Sequence, residues 1–175
     1  LYTNDGNGNF TEVLPPPLEE AEYSSIAFAD VNGDSTLDVL ITGSDSSYYA
    51  QSFLYLNDGN GSFSEVSGTP FPPMLDGSIG FVDVNGDSTL DVLMTGSIGS
   101  NMRRTHLYLN DGNGNFSEVM ETPFEDVNFS SVAFADVNGD DRPDVLITGR
   151  DASENPFSRL YLNESLPVSI GDESI

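Results

Sequence analysis

The chain has 175 residues, with 29 acidic against five basic side chains and a formal charge of −24 at pH 7. This charge argues against nucleic acid and anionic membrane as partners, because both require a basic surface, and it favours cations. Cysteine is absent, which excludes disulfides and thiolate metal sites, and no apolar run approaches the ~20 residues of a membrane span. The 11 Phe and 7 Tyr predict one folded domain rather than a disordered acidic tail.

The first element in chain order is a partial unit that contains LYTN at 1–4 and NFTEV at 9–13. The chain carries no signal-peptide pattern and begins in the middle of a repeat. We therefore expect a leader that has been removed or that lies upstream of this segment.

A full unit follows, with four short apolar runs bounded by Gly, Asn, Asp or Pro. They are named A (SIAFAD, 25–30), B (LDVLITG, 37–43), C (FLYLN, 53–57) and D (SFSEV, 62–66). Each run is rich in β-branched, leucine and aromatic residues and lacks a helical period, which predicts strands. The NDGNG sequence between C and D predicts a hairpin turn.

The unit then repeats with a period of 53 residues and no insertion. The later runs are A at 78–83 and 131–136, B at 90–96 and 143–149, C at 106–110 and 159–163, and D at 115–119. Four antiparallel strands repeated at this period are typical of a β-propeller blade, since one sheet cannot bury both faces alone. A β-sandwich is the rival, but sandwiches seldom keep one register through successive strands.

The sequence therefore predicts an all-β chain of about three propeller blades. The expected boundaries are strands C and D of a preceding blade at 1–13, blades at 14–66, 67–119 and 120–170, and a tail at 171–175. The third blade is complete only if LPVSI (166–170) supplies strand D. Three blades do not close a ring, so we expect either part of a larger ring or an assembly of several chains.

The link between A and B is acidic in every unit: DVNGDSTLD at 30–38 and 83–91, and DVNGDDRPD at 136–144. Hard oxygen ligands at alternate positions of a tight loop are what Ca²⁺ requires, whereas Mg²⁺ demands stricter octahedral geometry. Asp, Asn and Gly also favour ordinary turns, but three carboxylates in nine residues repel one another without a cation. The predicted ligands, the residue at position 7 acting through its backbone carbonyl, are Asp30, Asn32, Asp34, Thr36 and Asp38; Asp83, Asn85, Asp87, Thr89 and Asp91; and Asp136, Asn138, Asp140, Arg142 and Asp144.

The loop begins like an EF-hand or dockerin loop, but position 12 carries Ile41, Met94 or Ile147 instead of a bidentate acid. The following VLITG reads as a strand. The stretches FADVNGDSTLDVLITG (28–43), FVDVNGDSTLDVLMTG (81–96) and FADVNGDDRPDVLITG (134–149), with the YLNDGNG turns, resemble the FG-GAP/VCBS repeats found in integrin α-subunit propellers. The resemblance implies one Ca²⁺ per A–B loop, about three in all. Position 6, usually Gly in that family, is Ser35, Ser88 or Asp141, which predicts weaker affinity if the backbone there has positive φ.

Calcium bound only by the folded form would stabilise a small blade, and millimolar free calcium is extracellular, so a secreted or cell-surface location is expected. The A–B and C–D links are nearly identical between units and predict a scaffold face. The B–C and D–A links differ and predict a recognition face for a glycan or protein, with Tyr48, Tyr49, Arg103, Arg104, Arg150 and Phe157 as candidate contacts.

We expect a non-catalytic module for adhesion or ligand binding. The alternatives are a structural spacer or the non-catalytic part of a polysaccharide-degrading enzyme. A catalytic lyase or glycosidase is disfavoured, because the single His106 begins a strand at a position where the other units have Phe53 and Arg159. Paired carboxylates remain abundant, but those with distinctive spacing belong to the predicted metal loops.

Overall fold

The computed structural model describes residues 1–13, 18–99 and 102–164, and within them all regular structure is β-strand. The strands are β1 (Tyr2–Asn4), β2 (Phe10–Glu12), β3 (Glu22–Ala29), β4 (Asp38–Ser44), β5 (Ala50–Asn57), β6 (Phe63–Glu65), β7 (Leu75–Val82), β8 (Asp91–Ile98), β9 (Met102–Asn110), β10 (Phe116–Glu118), β11 (Asn128–Ala135), β12 (Asp144–Arg150) and β13 (Pro156–Tyr161). In this part of the chain no helix is long and apolar enough to cross a bilayer.

The predicted antiparallel blades are confirmed. Blade 1 has the strand order β3-β4-β5-β6 and blade 2 has β7-β8-β9-β10, so each runs A-B-C-D in sequence order. Blade 3 contributes β11-β12-β13, and β1 pairs with β2 as a separate C–D hairpin at the start of the chain. The predicted fourth strand of blade 3, LPVSI at 166–170, and the predicted tail lie outside the described residues.

Strand boundaries differ from the prediction mainly at the B–C and D–A ends. Strand A begins three residues early, at Glu22, Leu75 and Asn128, and each copy shifts register within its first four residues. The residue inside this bulge has positive φ: Tyr23 (50°), Asp76 (55°) and Phe129 (46°). A bulge admits an extra residue that an apolar pattern does not reveal. The B–C hairpins are also longer than predicted, which shortens the variable links.

The hydrophobic core lies between blades, because alternate residues of each strand face opposite neighbours. Leu40 and Leu54 of blade 1 pack with Val92, Met94 and Tyr108 of blade 2. On the other face of blade 2, Leu93 packs with Val145 and Ile147 of blade 3. Neighbouring A strands also touch: the Ser25 hydroxyl accepts the Ile79 N–H at 3.1 Å, and the Ser78 hydroxyl accepts the Val132 N–H at 3.2 Å.

The two end blades keep one face partly uncovered. Leu146 of blade 3 is 40% exposed, whereas its counterparts Leu40 and Leu93 are 0% and 1% exposed. On the opposite side of the stack, Ile26 and Phe28 of blade 1 are more than half exposed. The residues of these two faces occupy the same repeat positions as residues that pack between blades inside the chain.

Candidate metal-binding loops

Each acidic loop connects strand A to strand B, and its last aspartate is the first residue of strand B. Asp38, Asp91 and Asp144 are buried, with exposures of 1%, 0% and 1%. The Asp38 carboxylate accepts the Val31 N–H at 3.0 Å and the Asn57 N–H at 2.9 Å. The same pair of bonds forms at Asp91 and at Asp144. Position 9 therefore joins the loop to strand C of its own blade.

Burial raises the pKa of Asp38 above the usual value, because desolvation penalises the charged form more than the two N–H donors favour it. The negative charges of Asp34 and Asp30 raise this pKa further. Asp91 shows the same shift, for the same reasons. A buried carboxylate beside other carboxylates is an environment that a bound cation would relieve.

The first aspartate organises the tip of the loop. Asp30 accepts the N–H groups of Gly33 (2.8 Å), Asp34 (3.2 Å) and Ser35 (2.9 Å). Asp83 and Asp136 accept the equivalent three. The loop backbone curls around this carboxylate so that several N–H groups point toward it. At position 4, which is Gly33, Gly86 or Gly139, the backbone has positive φ.

Position 6 also has positive φ: 69° at Ser35, 70° at Ser88 and 63° at Asp141. Weaker calcium affinity is expected where the backbone at position 6 has positive φ, and all three loops have this conformation. A residue with a Cβ is strained in this region, whereas glycine is not.

The aspartate at position 5 accepts hydrogen bonds from the residues at positions 3 and 7 of the loop. Asp34 accepts the Thr36 N–H (2.8 Å) and, through its other oxygen, the Asn32 side-chain amide (2.9 Å). Hydrogen bonds to the charged form lower the pKa of Asp34, the Thr36 hydroxyl contributing most. Asp87 has the same partners and the same shift. Both carboxylates are therefore held ionised at neutral pH.

The donor set fits a hard cation. A carboxylate offers about four lone pairs and an amide oxygen two, and the loop's own N–H and O–H groups take some of them. Counted over the described residues, the lone pairs still free in the first loop lie on four side chains: one each on Asp30, Asn32 and Asp34, and two on Asp38. With the carbonyl of Thr36, this equals the lower limit of the six to eight oxygens that Ca²⁺ takes.

Carboxylates alone do not form the site. In residues 1–13, 18–99 and 102–164, no three His, Asp or Glu side chains lie close enough together to hold a metal ion. Asp34 points to Thr36 and Asn32, whereas Asp38 lies at the buried base of the loop. Coordination would have to draw on amide and backbone oxygens as well as on carboxylates.

The loops also contact the C–D turns, as the blade topology predicts for one face. The Thr36 hydroxyl lies 2.8 Å from the Asn57 carbonyl, where the C–D turn begins. In each of these turns an aspartate accepts N–H groups from the residues two and four positions later, as Asp111 does from Asn113 and Asn115. The turns are thus closed by their own hydrogen bonds.

The opposite face carries the candidate contacts for a partner. Tyr48 and Tyr49 are exposed by 68% and 72%. Tyr48 lies beside Tyr23, with ring centroids 6.2 Å apart. Tyr23 is not among the residues predicted from the sequence, although an alignment of the repeat units indicates it, because aromatic Phe129 occupies the same repeat position.

Several of the candidate arginines have partners within the fold. Arg103 of blade 2 donates to Asn128 (3.0 Å) and pairs with Glu154, both in blade 3. Arg150 also pairs with Glu154 (3.1 Å) and stacks over the Phe129 ring at 5.4 Å. Arg103 therefore clamps two blades together.

The remaining candidates lie nearby. Arg104 pairs with Asp126 at 3.3 Å, and Phe157 packs against the core beneath Arg159. The single histidine, His106, lies 2.6 Å from Glu118 on the neighbouring strand, D. This contact joins strands C and D of blade 2.

A family model described as FG-GAP-like repeat matches residues 1–41, 40–94 and 83–147. Each matched segment has an acidic loop near its end, so the family unit is offset from the structural blade. A comparison with curated proteins finds no match.

Proposed function

The chain belongs to the FG-GAP-like repeat family, and from this premise we propose that it is a calcium-stabilised, non-catalytic propeller module that binds a glycan or protein outside the cell. One observation carries the calcium proposal. The same loop occurs three times, with a buried aspartate at its base and free oxygen lone pairs on alternate side chains. Asp34 and Asp87, ionised at neutral pH, supply part of the charge that a divalent ion would offset.

Calcium would act here on stability. The loop side chains and the buried Asp38, which is itself bonded to strand C, would hold the ion, and its charge would offset the repulsion between their carboxylates. Binding to the folded form alone adds about 2.7 kcal/mol per site at a hundredfold excess over Kd. For a chain of this size that corresponds to a rise in Tm of about 5–10 °C per site. Such a gain requires millimolar calcium if affinity is weak, which supports an extracellular location.

Thermal unfolding with calcium, with magnesium and with EDTA tests this proposal. We expect calcium to raise the Tm and EDTA to lower it again. Magnesium should restore only part of the Tm that is lost in EDTA. Asp87→Ala should remove part of the calcium response, whereas Asp111→Ala should keep it. The two residues are a matched pair, since both are exposed carboxylates that accept turn N–H groups. A Tm indifferent to EDTA would sink the proposal.

We further propose that the variable face of blade 1 binds the ligand, because exposed Tyr48 and Tyr49 offer rings without packing partners in the core. A glycan array separates binding from a spacer role, and Tyr48→Ala with Tyr49→Ala should abolish any signal. The matched control is Tyr55→Phe, a change in the buried core. Turnover of a polysaccharide would overturn the non-catalytic assignment.

The uncovered faces of blades 1 and 3 support a proposal about neighbours. Leu146 and Leu160 of blade 3 are 40% and 48% exposed, where their counterparts are covered by the next blade. We propose that another blade of the same kind covers this face of blade 3. That blade would belong either to a longer chain or to a second copy of this chain. Sedimentation of this segment distinguishes a self-assembling unit from a stable monomer.

A further inference from the structure

The three acidic loops differ at position 7, which is Thr36 in blade 1, Thr89 in blade 2 and Arg142 in blade 3. The side chain at this position contacts both the aspartate at position 5 and the last residue of strand C. What its side chain donates decides how that aspartate is neutralised.

In blade 1 the Thr36 hydroxyl lies 2.6 Å from Asp34 Oδ1 and 2.8 Å from the Asn57 carbonyl. Blade 2 repeats this with Thr89 at 2.6 and 3.0 Å. A hydroxyl has one proton, so it satisfies only one of its two acceptors at a time. Among the residues that the structure describes, the other aspartate oxygen in both loops, Oδ2, accepts only the asparagine amide of position 3.

In blade 3 the Arg142 side chain reaches the equivalent carbonyl and the other oxygen of the aspartate with separate donors. Its Nε donates to the Asn163 carbonyl at 2.9 Å, and its Nη2 donates to Asp140 Oδ2 at 2.8 Å. Asp140 Oδ2 also accepts the Asn138 amide at 3.2 Å. Oδ2, which keeps a free lone pair in the first two loops, is therefore saturated in the third, and the charge of this carboxylate is paired with a guanidinium. Among the described residues, Asp140 Oδ1 accepts the Arg142 backbone N–H at 3.0 Å and keeps the free lone pair instead.

Asp141, which stands where the other loops have serine, restores the formal charge of the loop. The loops thus differ in where the charge lies rather than in how much there is. A hydrogen bond between charged groups is about twice as strong as one between neutral groups, so calcium must displace the guanidinium or coordinate without Oδ2.

We propose that the Arg142 guanidinium is a built-in cation that substitutes in part for calcium, so that the third loop binds calcium more weakly than the other two and stays folded without it. This inference rests on the proposed calcium function and refines it. It makes blade 3 the calcium-independent blade of this chain.

The test is a calcium titration followed by NMR on glycine-labelled protein. Gly33, Gly86 and Gly139 occupy position 4 of the three loops, and each donates its N–H to the first aspartate of its own loop. Each amide therefore reports one site. We expect Gly33 and Gly86 to shift at calcium concentrations about tenfold or more below those that shift Gly139.

Two reciprocal variants complete the test. Arg142→Thr, which restores the residue of the other loops, should bring Gly139 into the range of Gly33 and should lower the Tm in EDTA. Thr36→Arg should move the Gly33 transition to higher calcium and leave Gly86 unchanged.

Two results would overturn the inference alone: Gly139 titrating together with Gly33 and Gly86 in the unmodified chain, or Arg142→Thr leaving its transition where it was. If none of the three glycines responds to calcium, the proposed calcium function fails instead. The two failures are therefore distinguishable in one experiment.

Discussion

The side-chain amide of Asn110 donates a hydrogen bond to the carbonyl of Val31, 2.9 Å away and 79 residues earlier in the chain. Asn110 ends strand C of blade 2, and Val31 lies in the acidic loop of blade 1. Asn163 and Val84 repeat the bond at 2.9 Å between blades 3 and 2. Each of these loops is thus tied to the neighbouring blade, so that loop geometry and blade packing are coupled.

This bond predicts that Asn110→Ala lowers the free energy of unfolding more than Asn57→Ala does. The expected difference between the two variants is about 1–3 kcal/mol. Val31 is buried, and its carbonyl would lose its partner. Asn57 is the matched control, because its amide donates to Leu37 within its own blade and its oxygen accepts a turn N–H in the same way. Urea denaturation measures the difference, and equal losses would contradict the coupling.

The positive φ at Ser35 predicts that Ser35→Gly stabilises the calcium-free chain by up to about 1 kcal/mol and tightens the first calcium site. Glycine adopts this conformation without the steric cost that a Cβ carries. Ser47→Gly serves as the control, since Ser47 lies in a turn without positive φ and should lose stability. Calorimetry that found unchanged or weaker calcium affinity in Ser35→Gly would refute the prediction.

Gly80 predicts a steric limit on blade packing. A Cβ at this position would lie 2.4 Å from the Phe134 ring of blade 3. Gly80→Ala should therefore lower the free energy of unfolding by about 1–3 kcal/mol. The equivalent residues of blades 1 and 3, Ala27 and Ala133, do carry a methyl group, so the limit is specific to blade 2. The double variant Gly80→Ala with Phe134→Leu should recover part of the loss in a double-mutant cycle. Additive costs in that cycle would argue against direct contact.

The C–D turns predict a component of acid sensitivity. The Asn115 amide and backbone N–H groups lower the pKa of Asp111 below 3.8, so its contribution to stability is present above that pH and is lost as the pH falls through its folded pKa. Asp111→Asn should flatten the acid limb of a plot of unfolding free energy against pH.

Asp76 supplies the control of opposite sign. Desolvation raises its pKa, so its protonation stabilises the fold at low pH, and this contribution is lost as the pH rises through the folded pKa. Asp76→Asn should remove this contribution and so steepen the net loss of stability as the pH falls toward 3.8, the ordinary value of the group. If both variants changed the slope in the same direction, the assignment of the two shifts would be wrong.

The sequence by itself determined the blade, its 53-residue repeat and the acidic loops. These features are local: a strand is encoded by its apolar run, and a turn by Asp, Asn and Gly within a few residues. Even the effect of serine at position 6 is predictable from the sequence, because a backbone with positive φ accommodates glycine more readily than serine.

Only the tertiary structure decided which groups meet across blades. The Asn110–Val31 bond, the Arg103–Glu154 clamp and the contact between Phe134 and Gly80 join residues more than 50 positions apart. The bulge at Tyr23 depends on how strand A pairs with strand B, and the partners of Arg142 depend on where strand C ends. Such contacts follow from the packing of whole sheets, which a run of residues does not specify.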